Sequence, residues 1–319
     1  MKLKKYLCTL FAALTALTLL VASGCEASSD GQLHIVCTIF PQYDWVCELT
    51  EGAQNVEVTL LEDSGADLHN FRPSAADKVS VLNSDLFVYT GGESDDWART
   101  LLENAEKDVR SLDLIEALGE RALTEEEGIE ESGEHDHEHE DEVDEHIWLS
   151  VQNAKALVSA IAEELCGVDE ENAALYQSNA ASYLAELSDL DELFEETVSS
   201  AKRSVLVFAD RYPFRYLAHD YGLTCYAAFS GCSAESEASF ATILALVRHV
   251  EENALPYVMV LENSTQGIAK QVIDNTKSKD QGILVLNSLQ SVTREDIENR
   301  ATYLGLMKED LAVLKTALN

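Results

Sequence analysis

Four side chains in this chain have the types and positions to act together: His69, His146, Asp210 and Glu262. His69 ends the run Glu62-Asp63-Ser64-Gly65-Ala66-Asp67-Leu68-His69, which follows a β-rich segment at 56–62. Asp210 follows the segment 204–209, Glu262 follows 256–261, and Asn287 follows 282–286. His146 lies just ahead of a helical pattern beginning near Val151. Two imidazoles and two carboxylates form a ligand set for a divalent transition metal. Each also has a plainer reading. His69 can be a surface or capping residue, and His146 the tail of an acidic loop. Asp210 can cap the helical stretch from Arg211 to Tyr221, and Glu262 can pair with Lys270. Their joint placement points to a metal, because ligands of open parallel sheets sit beyond the carboxyl ends of the strands.

The elements that must position these groups read as two α/β halves. β-rich runs occupy 33–40, 56–62, 85–90, 204–209, 224–229, 256–261 and 282–286, and amphipathic segments lie at 74–83, 95–105, 236–253 and 266–276. Alternation of this kind predicts an α/β fold of two mostly parallel-sheet lobes. Between them, Tyr176, Tyr183, Leu187, Leu190, Phe194 and Val198 recur at helical steps, with no Gly or Pro from 170 to 200. That pattern predicts one long rigid helix joining the lobes, with the metal site in the interlobe cleft. The expected divisions are a signal peptide at 1–24, a tether at 25–31, a first lobe at 32–168, a connecting helix at 169–201 and a second lobe at 202–319.

Charge narrows the classes. The chain has 319 residues, with 22 Lys plus Arg against 58 Asp plus Glu and a net charge of −36. This balance argues against a nucleic-acid partner, whose phosphates need basic groups to neutralise them, and against binding to anionic lipid by a basic patch. The acids are concentrated at 125–145, where 13 acids and three histidines (His135, His137 and His139) fall in 21 residues without a Lys or Arg. Such a segment lacks the apolar surface to order itself and is expected to be a mobile loop that collects cations. At the N-terminus, Lys2, Lys4 and Lys5 precede an apolar run at 6–22, the pattern of an export signal. The following Ala22-Ser23-Gly24-Cys25 resembles a bacterial lipobox, which implies cleavage before Cys25 and lipid on its sulfur. Five cysteines remain beyond it (Cys37, Cys47, Cys166, Cys225 and Cys232), an odd number without metal-ligand spacing.

The segments around the two histidines resemble those of the metal-binding lipoproteins of bacterial ABC importers for zinc and manganese. Gly65-Ala66-Asp67-Leu68-His69-Asn70-Phe71-Arg72-Pro73-Ser74 is similar to the family's G-A-D-P-H-x-[FY]-x-P-[ST] motif, with Leu68 in place of proline. Asp144-Glu145-His146-Ile147-Trp148 is similar to D-P-H-x-W, with Glu145 in place of proline. The segments 85–92 and 303–307 also match. The resemblance implies His69 and His146 as metal ligands and two lobes joined by one long helix, and the His-rich insert implies the zinc branch. The family supplies a third ligand just after the first strand of the second lobe. This chain reads Phe208-Ala209-Asp210-Arg211-Tyr212 there, so Asp210 is the expected substitute, with Glu262 as a further oxygen donor and Asn287 near the fourth position. Such a set would take Zn2+, with Mn2+ or iron as the alternative.

The expected protein is therefore not an enzyme. It is a monomeric, lipid-anchored, extracytoplasmic component that captures a divalent metal ion and delivers it to a membrane ABC permease. The competing classes are a surface adhesin and a metallohydrolase with Glu262 as its base, although no HExxH or other catalytic spacing is present.

Overall fold

The computed structural model describes residues 31–124, 143–229 and 238–319. Cys25, Cys232 and the insert histidines His135, His137 and His139 lie outside the described residues. Among the described residues, eight strands form two four-stranded sheets, both entirely parallel. The first contains β1 (Leu33–Cys37), β2 (Val56–Leu60), β3 (Leu86–Tyr89) and β4 (Ser111–Asp113) in the order β2-β1-β3-β4. The second contains β5 (Val205–Phe208), β6 (Thr224–Ala227), β7 (Tyr257–Leu261) and β8 (Gly282–Leu286) in the equivalent order β6-β5-β7-β8. The central strands read as continuous apolar runs because helices cover both faces of a parallel sheet. In each lobe the chain direction across the sheet reverses beside the first strand, and a crevice opens there at the carboxyl ends.

The run predicted as a strand over 33–40 stops at Cys37, and helix α1 (Phe40–Thr50) begins three residues later. The Gln42 side chain decides this boundary: its Oε1 accepts the amides of Thr38 (3.0 Å) and Ile39 (3.3 Å). Pro41, whose fixed φ suits the first turn of a helix, does the rest. β4 has no counterpart among the predicted strands, since three residues carry no readable period.

Helix α2 (Ala75–Asn83) leads into β3, and α3 (Asp96–Glu103) follows it. A short helix α4 (Leu114–Leu118) precedes α5 (Val151–Val168) and the 27-residue α6 (Ala173–Ser199). Tyr176, Tyr183, Leu187, Leu190 and Phe194 are all buried on α6, the face the sequence period marks. α6 packs against α1 and α5 in the first lobe and against the C-terminal helix of the chain (Tyr303–Ala317). The main cluster of buried apolar side chains runs without a break from Ile35 and Trp45 through α6 to Phe208, Met259 and Tyr303. One shared core therefore fixes the lobes at their base, while their strand ends face each other across the cleft. Among the described residues no helix is long and apolar enough to cross a membrane.

Asp44 on α1 helps to join the lobes. Its Oδ2 accepts the amide of Tyr303 at 2.8 Å, and the Tyr303 hydroxyl donates to the carbonyl of Trp148 at 2.7 Å. Burial pushes the Asp44 carboxyl up to about 7, opposed by the Tyr303 amide and reinforced by the Glu48 charge. Between about pH 4 and pH 7 the folded chain thus binds a proton that the unfolded chain has released, so Asp44 makes stability fall as pH rises through that window. Asp44→Asn keeps an oxygen for the Tyr303 amide. It is expected to match the wild type in denaturant titrations at pH 4 and to exceed it by about 1–3 kcal/mol at pH 7.5. An equal difference at both pH values would contradict this reading.

Candidate metal centre

His69 sits on a single 3₁₀ turn, Leu68–Asn70, in the loop after β2. Asp67 caps that turn, its Oδ1 accepting the His69 amide at 3.0 Å. Gly65 lets the loop reach the second lobe. Its φ is +81°, and a Cβ there would stand 2.9 Å from Thr293 Cγ2 and 3.1 Å from the Ser291 carbonyl oxygen. The adjacent Ser64 pairs with Thr293 as an isolated antiparallel bridge, and Arg294 forms an ion pair with Asp63.

His146 caps a second 3₁₀ turn, Ile147–Leu149, and is fully buried. The rings of His69 and His146 stand with centroids 5.5 Å apart at 51°. Each ring is held through Nδ1. Asp144 Oδ1 lies 2.7 Å from His146 Nδ1 and also accepts the His146 amide at 2.9 Å. An imidazole that donates Nδ1–H to a carboxylate presents Nε2 as its acceptor nitrogen. His69 Nδ1 bonds Ser94 Oγ at 2.8 Å and lies 3.5 Å from Glu145 Oε2. Glu145 also fixes Ser94, whose amide donates to Oε1 at 2.7 Å. Gly92 makes room for it: its φ is +76°, and a Cβ there would overlap the Glu145 carboxylate. Consecutive acids, Asp144 and Glu145, thus support the two histidines. Behind them, Asp95 accepts the amides of Thr90 (2.9 Å) and Gly91 (3.1 Å), and burial pushes its carboxyl up to about 7.

The expected insert 125–145 ends inside the fold. Val143 bridges to Thr124, and Asp144 and Glu145 are buried, so the last three residues of that acidic run belong to the site. The acid count of the run concealed them. The signal that distinguishes them is local: the charge run is broken at Val143, immediately ahead of the His-x-Trp turn.

Asp210 and Glu262 are placed elsewhere. They line a polar hollow of about 560 Å³ between the lobes, with Asp67, Asn70, Arg211 and Ser288. His69 lines a separate hollow of about 390 Å³ with Phe71, Ser94 and Trp97. Asp210 Oδ1 accepts the Arg211 amide at 3.0 Å and Oδ2 accepts the Leu261 amide at 3.3 Å, which ties the ends of β5 and β7. Glu262 takes both the amide (2.8 Å) and the hydroxyl of Ser288. Asn287 Oδ1 accepts the Leu289 amide at 2.7 Å, and its own amide donates to Asp310 at 2.8 Å. Among the described residues, no three His, Cys, Asp or Glu side chains are grouped to hold a metal ion. Of the four expected residues, His69 and His146 stand together, while Asp210 and Glu262 accept backbone amides beside Asp67 and Asn70, close in sequence to His69.

Three side chains tie this junction, and of them Arg211 and Gln290 have no spacing signature. Arg211 Nη1 donates to Asp67 Oδ2 at 2.9 Å, Gln290 Oε1 accepts the Leu68 amide at 3.3 Å, and Trp148 Nε1 donates to the Ser288 carbonyl at 2.9 Å. Each crosses from one lobe to the other.

This architecture, two parallel-sheet lobes with a carboxylate-supported histidine pair at their junction, is that of the two-lobed α/β class. Within that class, the chain belongs to the family described as zinc-uptake complex component A, periplasmic (ZnuA), whose profile matches residues 35–317. It is 35% identical over 316 residues to the zinc-binding lipoprotein AdcA of Streptococcus pneumoniae, covering 98% of this chain and 60% of that protein. The chain thus spans about three-fifths of that relative's length. It is 28% identical over 305 residues to the high-affinity zinc uptake system protein ZnuA of Bacillus subtilis, covering 92% and 90% of the two chains. The crystal structure of the Zn(II)-bound ZnuA-like domain of S. pneumoniae AdcA superposes with a TM-score of 0.71 at 30% identity, over 90% of this chain and 99% of that one.

Asp210→Ala tests the structural role of that carboxylate. Removing it leaves two amides without their acceptor and is expected to lower stability by about 1–3 kcal/mol in chelator-treated protein, measured by urea titration. A loss seen only in the presence of metal would make Asp210 a ligand.

Proposed function

We propose that this protein captures a divalent metal ion, zinc first, outside the cytoplasmic membrane and hands it to an ABC permease. The observation that carries the reading is the His69–His146 pair, each ring supported at Nδ1, in the loops at the interlobe junction. Neutral imidazoles oriented by carboxylates are the usual donors to zinc, and second carboxylates of this kind strengthen the binding. The names of the AdcA and ZnuA relatives support zinc over manganese. In this reading His69 and His146 ligate the ion, while Asp210 and Glu262 shape the cleft around it. The remaining positions of a tetrahedral ion are then left to other oxygen donors.

The same proposal gives Cys25 a lipid that holds the chain at the outer membrane face, and gives His135, His137 and His139 a role in raising the local zinc concentration. The permease partner rests on the family alone. Catalysis has no support in the site: the base that hydrolysis would need, Glu262, is engaged by Ser288 through both oxygens.

Calorimetric titration with zinc and with manganese tests the proposal. The wild type is expected to bind one zinc tightly at the core and manganese weakly. His69→Ala and His146→Ala are expected to abolish tight binding, and Asp144→Asn to weaken it about 10–100-fold. Because the ligating imidazoles must be neutral, affinity should fall below about pH 6. Unchanged zinc affinity in both histidine variants would remove the assignment, and a manganese preference would transfer it to the harder ion.

A further inference from the structure

The turn that carries His69 is held by the opposite lobe. The Asp67 carboxylate divides its two oxygens: Oδ1 caps the His69 amide, and Oδ2 receives Arg211 Nη1 from the loop after β5. Arg211 is itself aimed by Asp210, which takes its amide and that of Leu261 at the end of β7. The preceding amide of the same turn, Leu68, donates to Gln290 beyond β8. Two successive amides that set the position of His69 therefore depend, directly or through Asp67, on second-lobe side chains. The ion pair is mostly withdrawn from solvent, with 12% of the Asp67 side chain and 30% of the Arg211 side chain exposed. In such a setting a charge-assisted bond outweighs a fully solvated surface pair.

We propose that the Arg211–Asp67 pair is an interlobe latch: it locks the His69 turn in its metal-holding position, and its opening sets the rate at which the bound ion leaves. Arg211 is thus a positioning residue that acts on the metal through Asp67 and the His69 backbone. The inference rests on the histidine-pair reading given above. A latch of this kind couples release to separation of the lobes, the movement a permease can drive by binding both lobes in their open arrangement.

The test uses Asp67→Asn, Arg211→Gln and the double variant in the full chain, with zinc release followed by chelator capture in stopped flow. Asp67→Asn retains an oxygen to cap the His69 amide. The two single variants change the local charge in opposite directions. A purely electrostatic effect would therefore speed release in Asp67→Asn and slow it in Arg211→Gln. The latch predicts release about tenfold faster in both, with the double variant no faster than either, because the pair acts as a unit. It also predicts that added salt speeds release in the wild type more than in the variants. Slower or unchanged release in Arg211→Gln, or additive effects in the double variant, would overturn it. If the wild type itself binds no zinc, the histidine-pair reading fails instead. The latch is then read by amide hydrogen exchange over residues 66–71 of the metal-free protein: faster exchange in both variants supports it, and unchanged exchange overturns it.

Discussion

The Asp144 carboxylate holds the buried His146 ring at Nδ1, and a ring held at one nitrogen presents the other in a fixed direction. Around His146 this constraint organises the centre of the molecule. Asp144 fixes the ring by Nδ1 and the backbone by its amide. The Asp144 carbonyl accepts the Tyr216 hydroxyl at 2.8 Å, which brings helix 215–221 of the second lobe against the first. Trp148, at 5.4 Å from the His146 ring, donates to Ser288, and the Ser288 hydroxyl and amide occupy Glu262. Holding one ring in place thus recruits groups from both sheets, and the shared apolar core beneath them keeps the two sheets at the separation these bonds require.

His69 is held on a softer footing. Its side chain is 27% exposed, and its support comes from a serine hydroxyl, a carboxylate at 3.5 Å and a turn tied to the opposite lobe. The two rings are thus held unequally, His146 against a buried carboxylate and His69 by partly exposed contacts. The contrast also explains why the carboxylates are distributed as they are. Asp144 and Glu145 serve the rings, Asp67 serves the turn, and Asp210 and Glu262 brace the strand ends. In a chain of net charge −36, most acids at the cleft are engaged by amides, hydroxyls or a guanidinium rather than standing ready for a cation.

Much of the fold was legible because its signals are local. Parallel strands buried on both faces read as continuous apolar runs, and α6 shows its buried stripe through Tyr176, Tyr183 and Leu187. The closeness of His69 and His146, rings 5.5 Å apart, was foreshadowed by the loop after a strand for the first and by the run ahead of a helix for the second. The failures have physical causes. A boundary such as Cys37 depends on a glutamine folding back over two amides, and β4 is too short to have a period. The roles of Arg211 and Gln290 depend on contacts 144 and 222 residues away, which no spacing rule encodes. Asp210 and Glu262 lie at strand ends as expected, and the amides they accept there are contacts that no spacing rule encodes.

His69 and His146 are proposed to hold the ion together. The most direct measurement is zinc-edge X-ray absorption on protein lacking residues 125–142 and loaded with one equivalent of zinc. A first shell of nitrogen and oxygen at about 2.0–2.1 Å, with outer-shell scattering from two imidazoles, is expected. A shell containing sulfur, or one without imidazole scattering, would contradict it.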